Sequence, residues 1–158
     1  MNTKLNVWVK RLLDFSFYVG CVMEVTAYFW IRPGIDLLEK YFPNTNEFSQ
    51  IKVQYISSIL IIMGTGLFAL AILYELRKMM KTVIEEDCFV QQNVKSLDRM
   101  AGFAFAIVII KVVRSIYIFT ATGVVVAGVF FFAGLFSKVL ARVFDQAVKY
   151  KQENDLTI

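Results

Sequence analysis

Residues 55–76 read YISSILIIMGTGLFALAILYEL, an unbroken and predominantly apolar run of 22 residues. A hydrocarbon layer about 30 Å thick is crossed by roughly 20 apolar residues of α-helix, so a run of this length reads as a membrane span. Three further stretches qualify, at 12–31, 101–119 and 123–143. A transmembrane barrel would show alternating segments of about ten residues, whereas these runs are continuous. The fold class expected is therefore all-α, an integral membrane four-helix bundle formed by residues 1–158 as a single domain.

Composition points the same way. Hydrophobic residues make up 58% of the 158 and charged residues 19%, more apolar material than a water-soluble core of this size can hide. The net charge of +4 would raise nucleic acid as a partner if it were clustered, but it sorts by side of the membrane. Lys4, Lys10, Arg11, Arg77, Lys78, Lys81, Lys95, Arg99, Lys138, Arg142, Lys149 and Lys151 fall on one side, and Arg32, Lys40 and Lys52 on the other. Twelve against three is a positive-inside bias. It predicts a multi-pass membrane protein with both termini and residues 77–100 in the cytoplasm. The lipid bilayer is then the first partner, and direct nucleic-acid binding is not expected. The basic start before the first span lacks a small-x-small cleavage site, so the expectation is a retained anchor.

Between the spans, Arg32-Pro33-Gly34 is predicted to end the first helix, because a residue before proline is pushed out of the helical region. An external loop is expected over 32–54, carrying a short surface helix through Ile35, Leu38, Tyr41 and Phe42. Residues 77–100 read as a helical hairpin, with Glu85-Glu86-Asp87 as its turn and Phe89, Asn93, Val94, Leu97 and Met100 as an amphipathic lead into the third span. Thr120 to Gly123 leaves room only for a tight turn, so the last two spans must be antiparallel neighbours. Gly123, Ala127, Gly128, Ala133 and Gly134 give the fourth span a small-residue side suited to close helix packing. The cytoplasmic tail is expected over 144–158, with the last helix running on past Val143 as an amphipathic extension bearing Phe144, Ala147 and Val148 and ending in a polar segment from Gln152.

Catalytic chemistry is not indicated. The chain has no histidine, its two cysteines, Cys21 and Cys88, stand at different depths, and no phosphate-binding loop or nucleophile elbow occurs. No catalytic residue, metal or cofactor is expected. Three ionisable residues, Glu24, Lys111 and Arg114, fall at membrane depth, where an unpaired charge is costly. Glu24 is thirteen residues beyond Arg11 and Lys111 twelve beyond Arg99, which at about 1.5 Å per residue puts both roughly 18–20 Å up their helices. Arg114, three residues on, is predicted to share the face of Lys111. Three readings follow: a buried ion pair that fixes register, a polar cavity for an anion, proton or small ligand, or an oligomeric channel.

The hairpin stretch 88–97, with Phe89, Asn93 and Leu97 spaced by four, and the ending Glu153-Asn154-Asp155-Leu156-Thr157-Ile158 resemble a family of small bacterial four-span membrane proteins described only as a domain of unknown function. In that family a Pro or Gly often precedes the Phe, where this chain has Asp87-Cys88. The resemblance implies a place in the bacterial cytoplasmic membrane and a gene neighbour encoding a small helix-turn-helix regulator of the Cro and repressor type. It therefore implies a non-enzymatic, regulatory membrane protein that controls or sequesters that cytoplasmic regulator. Phe89, Asn93, Leu97 and residues 153–158 are then the expected partner-binding positions. A small oligomeric transporter, channel or ligand-binding protein using the charge cluster is the competing expectation.

Overall fold

The computed structural model describes residues 3–42, 52–85 and 87–155. These form four helices: α1 (Thr3–Tyr41), α2 (Tyr55–Ile84), α3 (Gln91–Tyr117) and α4 (Ala121–Asp155). No strand occurs among the described residues. All four helices are long and apolar enough to cross a membrane. Phe15, Val25, Phe29, Ile116, Phe119 and Phe136 stand exposed on the outside, a surface that lipid tolerates and water does not.

The first helix is longer than the proline suggests. α1 runs through Pro33 for 39 residues without a break, so 32–34 is not a helix end and Ile35 to Tyr41 is not a separate surface helix. An internal proline loses one hydrogen bond and costs about 3 kcal/mol. The offset comes from packing: Ala27, Ile31 and Ile35, spaced by four, are buried against Ile59, with Tyr55, Ile62 and Met63 beside them. That contact carries the helix past the proline. Lys52, just ahead of α2, donates to Asp36 at 2.7 Å and to Glu39. These hydrogen bonds hold its amine above the ordinary lysine value and tie the start of α2 to the end of α1.

Helices adjacent in sequence pack against one another, while no described residue of α1 comes within 8 Å of α4, Cα to Cα. The bundle is therefore open along one side. α3 is capped by Ile118, whose N–H reaches the Arg114 carbonyl at 2.8 Å. Thr120 then starts α4: its hydroxyl accepts the Gly123 N–H at 3.2 Å, the usual N-cap arrangement. Along this pair Gly134 is buried under the Phe105 ring, and an added Cβ would stand 3.1 Å from it. Gly134→Val should separate α3 from α4 and lower stability by about 1–3 kcal/mol. Gly128→Ala, which meets nothing within 4 Å, should leave the thermal transition in detergent unmoved. Equal transitions for the two variants would contradict this packing.

Toward the hairpin end an ion pair ties each neighbouring pair of helices. Asp14 meets Arg77 at 2.6 Å between α1 and α2, Glu75 meets Arg99 at 3.1 Å between α2 and α3, and Asp98 meets Lys138 at 2.7 Å between α3 and α4. Lys151, far along α4, reaches Asp87 of the hairpin turn at 2.8 Å. Arg77 also lies over the rings of Phe17 and Tyr18, 4.5 and 5.1 Å from their centroids. α4 continues well past residue 143, with Val148 buried and Phe144 against Phe89 at 5.4 Å between ring centroids. Glu153, Asn154 and Asp155 thus belong to α4 rather than to a tail, and Leu156, Thr157 and Ile158 lie outside the described residues.

Candidate functional site

Glu24 and Lys111 line one cleft of about 400 Å³ at the open side of the bundle. Every helix contributes a wall: Met23 and Ala27 from α1, Thr65 and Leu70 from α2, Ile107 from α3, and Val126 and Phe130 from α4. Two glycines allow α1 and α2 to close on each other here. Gly20 faces Leu70, where an added Cβ would stand 2.8 Å from the leucine methyl, and Gly66 lies directly under the Glu24 carboxylate, which a Cβ would displace. Helix approach at small residues thus becomes a seat for a charge.

That charge has no hydrogen-bond or ion-pair partner at Oε1 among the described residues. Oε1 of Glu24 is buried and accepts no hydrogen bond among the described residues. None of the ion pairs among the described residues includes Glu24, Lys111 or Arg114. The register-fixing ion pair is therefore not formed, and a carboxylate and an ammonium face the same cavity without meeting. Arg114 stands elsewhere. It lines a separate cavity between α2 and α3, where Nη2 approaches Ser58 Oγ at 3.4 Å.

The hairpin residues are placed inside the protein. Asn93 is 0% exposed, and its Nδ2 donates to Thr82 Oγ1 at 2.7 Å and to the Cys88 carbonyl at 2.8 Å. Its backbone N–H bonds the Val90 carbonyl at 2.9 Å. One side chain thus joins the end of α2, the turn and the start of α3. Leu97 is buried beside it, so neither Asn93 nor Leu97 offers surface to another molecule. Phe89 is partly exposed, with one face against Phe144.

Glu75 is the residue that reading by hydropathy passes over. It is 4% exposed, accepting from Ser96 Oγ at 2.7 Å and from Arg99 Nη1 at 3.1 Å. The available signal was positional: Glu75 stands ten residues before the Glu85 turn and Arg99 nine after Val90, so an antiparallel hairpin brings them level.

The geometry defines a class: a multi-pass helical membrane protein with an ion-paired base and a charged cleft lined by all four helices. Residues 24–158 match the family model of proteins of unknown function DUF2975, and the chain belongs to that family. No curated protein and no solved structure matches it.

Proposed function

We propose that this chain is a non-enzymatic regulatory protein of the bacterial cytoplasmic membrane. It binds a small ligand in the Glu24–Lys111 cleft and relays occupancy to a small helix-turn-helix regulator held at the hairpin end. The observation that carries this reading is the continuity of α4. The same uninterrupted helix supplies Val126 and Phe130 to the cleft and Phe144, Val148 and Lys151 to the base. From residue 130 to residue 151 it spans roughly 32 Å at about 1.5 Å per residue. A ligand that draws α4 toward α1 shifts the outer end of the same rigid rod, and an effector acts only through such a difference between states. The positive-inside bias supports a cytoplasmic position for that end.

The neighbouring regulator, co-expressed with the full chain and followed in the membrane fraction, tests the reading. Truncation before Glu153 should abolish co-purification while the thermal transition in detergent stays in place. Lys111→Met should change the amount of regulator retained without loss of fold. Retention unaltered by either change would sink the proposal.

A transporter is the second reading, favoured by the two unpaired opposite charges in one cleft. Solute flux through proteoliposomes that disappears in Lys111→Met would support it, and its absence from the unmodified protein would remove it.

A further inference from the structure

We propose that the cavity between α2 and α3, at the end away from the hairpin, binds an anionic amphiphile whose charged head pairs with Arg114. The cavity holds about 490 Å³, within the rough 300–1,000 Å³ range of small-molecule sites. Ile61, Ile110 and Val113 make its walls apolar, and Ser57, Ser58 and Arg114 are among its few polar groups.

Arg114 is poorly satisfied among the described residues. A guanidinium carries five N–H donors in a rigid fork. Here, among the described residues, Nη2 reaches only Ser58 Oγ at 3.4 Å, longer than the usual range of about 2.7–3.2 Å. Its Nε is buried with no acceptor among the described residues. Among the described residues no carboxylate lines the cavity. A cation so placed lacks a bidentate oxyanion, the partner that guanidinium geometry fits best.

Depth decides the kind of anion. Arg114 is one turn from the last residue of α3, and Ser58 lies in the first turn of α2. The pair therefore sits near the end of two spans, within reach of the level where lipid heads meet acyl chains. Apolar walls run from there toward the middle of the bundle. A phosphate ester or carboxylate with an attached hydrocarbon chain satisfies both halves of the site, whereas a free inorganic anion satisfies only one. The Glu24–Lys111 cleft is a different cavity and takes no part in this site.

The test uses the full chain purified in a neutral maltoside detergent and read by native mass spectrometry. Phosphatidylglycerol, palmitate, phosphatidylcholine and inorganic phosphate are offered separately. Phosphatidylglycerol, palmitate or both should be retained over phosphatidylcholine, and which of them binds identifies the head as phosphate or carboxylate. Arg114→Gln should reduce retention about tenfold or more, the effect of losing a hydrogen bond to a charged group. That variant removes a buried charge, so it should fold at least as well as the parent. Ile110→Trp, which fills the cavity and leaves Arg114 in place, should reduce retention likewise, whereas the exposed-site variant Arg142→Gln should not. Equal retention of anionic and neutral lipid, retention unaffected by Arg114→Gln, or displacement of the lipid by inorganic phosphate would each overturn the proposal.

Discussion

Arg99→Ala is expected to destabilise the helical unit by about 2–4 kcal/mol, and adding Glu75→Leu is expected to recover most of the loss. The asymmetry follows from burial. The Glu75 carboxylate is 5% exposed and the Arg99 side chain 57%. Removing the arginine strands a charge in the interior with only the Ser96 hydroxyl to solvate it, whereas removing both leaves an apolar site. Loss of one partner of a fully buried pair costs about 3–5 kcal/mol, and the water that reaches Arg99 argues for a smaller figure here. Unfolding followed by far-UV circular dichroism in mixed micelles would rank the parent, the single variant and the double variant. A double variant less stable than Arg99→Ala would show that the pair holds the fold by attraction rather than by masking a buried charge.

Asn93 should be nearly as sensitive. Asn93→Ala removes both side-chain hydrogen bonds that close the hairpin, at about 0.5–1.5 kcal/mol net for each bond plus the cost of the unsatisfied Cys88 carbonyl. A total of about 2–4 kcal/mol is expected on that reasoning. Asn93→Asp should be worse still, although it is nearly isosteric, because it turns an acceptor oxygen toward the Cys88 carbonyl and buries a charge. Hydrogen exchange of the amides in 82–97 should accelerate in the order parent, alanine, aspartate. The reverse order of the two variants would mean that the amide group fills space rather than donating.

The spans were legible because lipid demands long apolar runs whatever the packing. Features set by packing were less so. Pro33 looks like a stop until Ile31 and Ile35 are seen buried against α2. Phe89, Asn93 and Leu97 share a spacing that marks one helix face, but periodicity does not say whether that face meets its own chain or another. Glu75 reads as the boundary of an apolar run, which hides a buried carboxylate. Lys111 and Arg114 are three residues apart, about 60° short of a full turn. With α2 packed alongside, that offset helps turn them toward different cavities.

The distribution of ties along the bundle has a mechanical consequence. α1 and α2 are clipped at both ends, by Asp14–Arg77 and by Lys52 with Asp36, and α3 and α4 are held by a short turn and by Asp98–Lys138. Between these two couples the only ion pair joining the helices themselves, among the described residues, is Glu75–Arg99, close to the hairpin. The molecule is built like tongs, with its pivot at the Asn93 turn and, among the described residues, only the long Arg114–Ser58 contact of 3.4 Å as a polar tie between the arms at the opposite tips. A scissoring that widens the α2–α3 seam would break no ion pair among the described residues at that end. Occupancy of the Arg114 cavity would set the angle between the arms, so the composition of the surrounding lipid becomes a setting of the protein's shape.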